Sequence, residues 1–217
     1  MERPRLDARL DIAVGEVLKR LERTNAVRDS ALNDGRQAIR FCANSIRELH
    51  RGDLNGARDQ FESARSLLVA IRAETEDETA VYWAGYVQDA MKEFAEASVL
   101  LAIISGAALP SPREIDVEDA PYLNGLCEAA SELRRLVLHT LRGEDLDLAG
   151  RYLASMNDIY DLLITVDFPD AITGGLRRSV DQLRAVLERT RGDFTLTLNQ
   201  RRLEAAILGY QTGIEGR

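Results

Sequence analysis

The sequence predicts an all-α fold, a single-domain bundle of about seven helices, and three observations carry that reading. Apolar residues recur at intervals of three and four along almost the whole chain, the period of one helix face. Only five prolines occur in 217 residues, while the helix formers Ala, Leu, Arg and Glu are abundant. No stretch alternates apolar and polar residues as a half-buried strand does.

The first helix is expected over about residues 5–50. Leu6, Leu10, Val14, Val17, Leu18 and Leu21 share one face, and Ala31, Ala38, Ile39, Cys42, Ile46 and Leu49 continue the pattern. In "HRGDLNGA", Gly52 suits a helix C-terminus and Asp53 the next N-cap. Helices are then expected at roughly 53–75 and 78–107. "SGAALPSPREIDVEDAPY", with Pro110, Pro112 and Pro121, is the main loop and ends in an acidic helix start. Further helices are expected at about 116–142, 145–166, 169–190 and 196–211. "LRGEDLDLA" (Gly143, Asp145) and "TRGDFT" (Gly192, Asp193) repeat the Gly-Asp punctuation between them. The apolar face of Leu176, Val180, Leu183, Val186 and Leu187, together with the long first helix, exceeds what one bundle layer needs. Part of it is therefore expected between subunits. The domain is expected to cover 1–213. The closing "IEGR", 214–217, matches a factor Xa recognition site and reads as a cloning scar.

A chain of this length supports one substantial core. Hydrophobic residues make up 45% and charged residues 29%, an ordinary globular balance. Cys42 and Cys127 stand far apart without metal-ligand spacing, so neither a disulfide scaffold nor a zinc module is implied. "MERPRLDARLD" has no apolar signal region, and "ASVLLAIISGAAL" is too short to span a bilayer. A cytoplasmic protein without a membrane partner is expected. The net charge of −8 is unevenly spread. Residues 1–75 carry 14 basic and 12 acidic groups, 76–170 carry 6 and 19, and 171–217 carry 8 and 5. The acid lies in the middle and the base at the ends. Of the 28 basic residues 26 are Arg, the better bidentate ligand for phosphate.

Within the acidic middle, "MKEFAEA" places Glu93 and Glu96 directly before a nearly continuous apolar run. Asp89, Glu93 and Glu96 fall on one helical stripe, at i, i+4 and i+7. In "NGLCEAASELRR", Glu128 and Glu132 share a face, opposite the stripe of Leu123, Leu126, Ala130, Leu133 and Val137. Four carboxylates on two neighbouring helices suit a hard divalent cation such as Mg²⁺. On pattern alone, surface acid is the plainer account of both pairs, since acidic pairs on helices are common. A ferritin-like di-iron site is excluded, because neither His50 nor His139 has a Glu three residues earlier. Both histidines are expected near the surface at helix ends. No P-loop, nucleophile-elbow or CxxC motif occurs.

"IDVEDAPYLNGLCEAASELRRLVLHTLRGEDLDLAGRYLASMNDIYDLLITVD" resembles the core of the translin superfamily. "GGLRRSVDQLRAVLERTRGDFT" is similar to the family's C-terminal helix, and "NDGRQAIRFCANSIRELHRGD" to an earlier segment, more loosely. The similarity covers about residues 20–205. "KEFAEA" resembles the Trax (translin-associated factor X) branch, where translin itself has apolar residues. The resemblance puts Glu93 and Glu96 at Trax-type acidic positions and adds Glu128 and Glu132 from the second helix. At Glu128 the branch has Asp, one methylene shorter. Asp89 has no counterpart in the pattern.

The resemblance implies an Mg²⁺-dependent endoribonuclease, with Mn²⁺ as a substitute, cutting single-stranded or nicked RNA. It implies Glu93, Glu96, Glu128 and Glu132 as ligands and catalytic groups inside a closed, hollow homo-oligomer, an octamer in the family. A translin-like partner subunit is a further implied possibility. The chain is shorter than eukaryotic Trax and lacks a basic N-terminal extension, which points to a prokaryotic or archaeal homologue that assembles with itself. Arg28, Arg36, Arg40 and Arg47, with Arg177, Arg178 and Arg184, are the candidate RNA-backbone contacts. A solvated amphipathic face is the plainer account of them. The competing functions are a non-catalytic, translin-like RNA- or DNA-binding protein and a helical scaffold without a nucleic-acid role. The four carboxylates argue against the first, since a phosphate binder gains nothing from acid near its ligand.

Overall fold

A computed structural model describes residues 6–215, with side chains over 9–209. The tail read at 214–217 falls outside these, save that the last helix's backbone continues to Glu215. The described residues form eight helices: α1 (Leu6–Arg51), α2 (Leu54–Glu74), α3 (Thr79–Tyr82), α4 (Gly85–Ser105), α5 (Asp119–Arg142), α6 (Leu146–Leu163), α7 (Asp170–Thr173) and α8 (Leu176–Glu215). No strand occurs among them.

The first turn forms as its residue types dictate. Gly52 takes φ +80, which costs glycine least, and Asp53 accepts a hydrogen bond from the Gly56 amide at 2.9 Å. Asp145 caps α6 likewise through the Leu148 amide, also at 2.9 Å. There, however, Glu144 takes the left-handed conformation (φ +67) and Gly143 does not (φ −80). The third Gly-Asp pair departs from expectation altogether. Gly192 and Asp193 lie inside α8, which runs unbroken for 40 residues. Tertiary contacts override the local signal: Arg134 of α5 pairs with Asp193 at 2.8 Å and also reaches Thr190. The true break is earlier. Gly174 and Gly175, at φ +61 and +83, separate the single turn α7 from α8. The helix expected at 78–107 is likewise divided, because Ala84 is extended between α3 and α4.

The packing order explains where each face goes. α1 lies on α2 and α4, α4 on α5, and α5 on α6 and α8. One core cluster joins α1, α2 and α4 around Cys42, Phe61, Met91 and Phe94, with Phe61 and Phe94 stacked at 4.4 Å. A second joins α5, α6 and α8 around Leu133, Met156, Leu183 and Leu187. α4 borders both, and so is apolar on nearly every side. Leu176, Val180, Leu183 and Leu187 are buried within this second core. The apolar face proposed for subunit contact is thus used inside the chain. Exposed apolar surface lies instead on the N-terminal half of α1, where Leu10, Ile12, Val14, Leu18 and Leu21 are 48–64% exposed, and late in α8, at Leu196, Leu203 and Leu208. No helix among the described residues is long and apolar enough to cross a membrane.

Candidate metal centre

The acidic residues meet on the seam between α4 and α5. Gly125 makes the seam tight. A Cβ there would stand 2.7 Å from both the Lys92 carbonyl oxygen and the Ala95 Cβ, and 3.0 Å from the Glu96 amide nitrogen. Without a side chain, α5 approaches the α4 backbone directly. Glu128 and Glu132 follow Gly125 at i+3 and i+7, on the same face, so they turn toward α4. That face read as solvated from the pattern of α5 alone; α4 covers it.

One carboxylate oxygen each from Glu93, Glu96 and Glu128 lies within 4.8 Å of the others. All three side chains are half-buried. An all-oxygen set from two rigid helices fits a hard divalent cation. A cation already stands beside it: the Lys92 ammonium is 2.6 Å from Glu128 Oε1 and 3.3 Å from Glu93 Oε1. Glu132 stays close enough to act electrostatically on Glu96 but is engaged elsewhere. It hydrogen-bonds His50 Nε2 at the end of α1 and lies 3.6 Å from Arg135. Asp89 is exposed and outside the trio, acting on Glu93 only through its charge.

The electrostatics are those of crowded acid. Burial first, then the charges of Glu93, Glu128 and Glu132, push Glu96 from an ordinary 4.5 to about 8. Burial also raises Glu93, against the opposing pull of Lys92, with Glu128 adding to the rise. Burial works against the Lys92 ammonium, but Glu128 and Glu93 outweigh it and raise its pKa. The Cys42 thiol behind the trio is pushed up by burial and then by Glu93 and Glu96.

Two residues of the centre escaped the sequence reading. His50 was expected near the surface, yet its side chain is only 9% exposed and meets Glu132 across 82 residues of chain. No spacing rule links positions so far apart. Lys92 neighbours Glu93 in sequence, and as one of only two lysines it was the available signal. His139 is exposed as expected.

The arginines do not gather at the trio. Arg36, Arg40 and Arg47 are exposed along one side of α1, about 40° wide by helical geometry, with Arg28 further round. Arg28 pairs with Asp29 at 2.7 Å and Arg47 with the Asn44 side chain at 2.8 Å. Arg177, Arg178 and Arg184 are exposed on α8, which packs chiefly on α5 and α6 rather than on α1. Arg184 donates to the Tyr160 hydroxyl at 2.7 Å. Within one chain these are two separate basic surfaces.

No family model matches the chain. An uncharacterized protein of Methanocaldococcus jannaschii, MJ0175, is 30% identical over 196 residues, which cover 89% of this chain and 86% of that protein. Among solved structures, AfC3PO superposes with a TM-score of 0.81 at 32% identity, over 87% of this chain and 98% of that one. AfC3PO in complex with duplex RNA gives 0.80 at 33% identity over the same shares. Apo-NeC3PO, at 19% identity and a TM-score of 0.68, covers 91% of this chain and 99% of that one, a likeness of fold. With a third of its residues identical to AfC3PO over nearly all of that protein, this chain belongs to the translin–Trax family of C3PO proteins.

Proposed function

We propose that the chain is an Mg²⁺-dependent endoribonuclease whose centre is the seam between α4 and α5. The observation that carries this reading is the convergence of Glu93, Glu96 and Glu128 oxygens within 4.8 Å, half-buried and on two helices. Surface acid repels and spreads, whereas here burial holds the carboxylates together against their own charge. Bound Mg²⁺, or Mn²⁺ in its place, supplies Lewis-acid polarisation of a phosphoryl oxygen and a water of lowered pKa. Glu93, Glu96 and Glu128 hold the cation. Glu132 borders the centre, and His50 fixes its orientation from α1. The family resemblance makes Glu132 the fourth ligand, which requires it to share its carboxylate between His50 and the centre. The arginines of α1 and α8 grip the phosphate backbone and carry no sequence information. AfC3PO is known in complex with duplex RNA, which supports an RNA substrate here. Single-stranded or nicked RNA is the preferred form, cleaved within a closed homo-oligomer.

The deciding experiment incubates purified protein with labelled single-stranded, nicked and duplex RNA, with Mg²⁺ or with EDTA. Cleavage with Mg²⁺ that EDTA stops is expected. RNA binding without metal-dependent cleavage of any form overturns the enzyme and leaves a non-catalytic RNA-binding protein.

A further inference from the structure

We infer that Lys92 is the second cation of this centre, so that each chain takes one divalent ion and not two. The inference rests on the metal-centre reading above. The Lys92 ammonium spans the seam, 2.6 Å from a Glu128 oxygen on α5 and 3.3 Å from a Glu93 oxygen on its own helix. A carboxylate has two oxygens, and Glu93 and Glu128 can each give one to Lys92 and the other to a metal.

Charge balance sets the number. Glu132 shares its carboxylate with His50 and Arg135 at the border of the centre, so the three converging carboxylates of Glu93, Glu96 and Glu128 set the charge that the cations must balance. Three negative charges are balanced by one ammonium and one divalent ion. With Lys92 in place, a second divalent ion would leave the half-buried trio with two excess positive charges, which is costly where water is partly excluded; without Lys92 the same two ions leave one, which the charge of bordering Glu132 offsets. Two-metal nucleases clamp the attacking and leaving oxygens with ions about 4 Å apart. Lys92 supplies one of those positive charges from the protein itself, as three donor hydrogens on a flexible stem.

Equilibrium dialysis against Mn²⁺, with the bound ion counted per chain, tests this without any assay of cleavage. Wild type is expected to bind one Mn²⁺ and Lys92→Arg one. Lys92→Met, which keeps the stem and removes the charge, is expected to bind two, and the second should vanish in Lys92→Met/Glu128→Gln. Lys92→Gln replaces Lys92→Met if the latter does not fold as judged by circular dichroism. Two ions in wild type, or one in the neutral variant, overturns the inference and leaves the metal centre standing. A wild type that binds none while the neutral variant binds one does the same. No Mn²⁺ in wild type or any variant overturns the metal centre, and this inference with it.

Discussion

Glu96 feels the crowded acid of the seam through burial and three like charges. It is held near a pKa of 8 by burial and by three acidic neighbours, against 4.5 in an unfolded chain. The fold therefore binds an extra proton between those values. That contribution to stability is complete below about 4.5 and is lost as pH rises through 8. In chelator, the melting temperature should fall between about pH 4.5 and pH 8 and level off above, and Glu96→Gln should flatten the fall, as scanning calorimetry would read. An equal slope in the variant would show that Glu96 is not the titrating group. Under the proposed function, Glu93→Gln, Glu96→Gln or Glu128→Gln should lower cleavage by at least about a hundredfold with RNA binding retained. Glu132→Gln should do the same, because the family pattern makes it the fourth ligand. Pairs of these changes should add little, since the carboxylates act as a unit. Near-wild-type cleavage in Glu93→Gln would move the catalytic site away from this stretch. His50→Gln should weaken Mn²⁺ binding by roughly ten- to a hundredfold through Glu132, and unchanged binding would leave His50 a packing residue only.

At the scale of elements, the distance between α4 and α5 decides whether the carboxylates meet. Gly125→Ala places a methyl group 2.7 Å from the α4 backbone at Lys92, where no flexible side chain can give way. The helices must part. A loss of about 1–3 kcal/mol is expected from overpacking, together with weaker Mn²⁺ binding. Denaturant titration and dialysis would read the two effects separately, and full metal binding in a destabilised variant would detach the seam from the site. The exposed arginines of α1 belong to the same scale. Arg36 and Arg40 carry no ion pair among the described residues, unlike Arg28. Arg36→Ala/Arg40→Ala should weaken binding of all RNA sequences alike and flatten its dependence on salt. Binding titrations at several salt concentrations check this, and an unaltered slope would place the RNA on the α8 arginines or elsewhere.

For the whole molecule, the exposed apolar stripes of α1 and α8 outweigh the needs of a single chain. α1 is 46 residues long, about 69 Å, and its N-terminal half leaves Leu10, Leu18 and Leu21 more than half exposed. Exposed apolar surface of this kind is what subunit interfaces use. Self-association through these helices is the expected outcome, closing into the hollow assembly that the family resemblance implies, and light scattering at micromolar concentration measures it. Leu18→Glu/Leu21→Glu should shift the population to smaller species, and a wild type that is monomeric throughout would remove the enclosed chamber from the proposal. Within such an assembly, neighbouring chains would bring to shared RNA the two basic surfaces that lie apart in one chain.

Periodicity, punctuation and composition determined the helical class, most helix spans and the acidic middle, because those depend on local spacing and capping. The quartet itself was visible as two pairs, Glu93 with Glu96 and Glu128 with Glu132, each on a helix face that spacing defines. Their meeting was not derivable from spacing: it depends on Gly125 in one helix facing Lys92 and Ala95 in another. The same limit hid His50, whose partner is 82 residues away, and the continuity of α8 through Gly192, where Arg134 holds Asp193 in the helix. Sequence period records which side of a helix is apolar. Only the packed structure decides what covers the other side, and here α4 meets the polar face of α5 and brings Glu93, Glu96 and Glu128 of the two acidic pairs into one half-buried cluster, with Glu132 turned to His50 at its border.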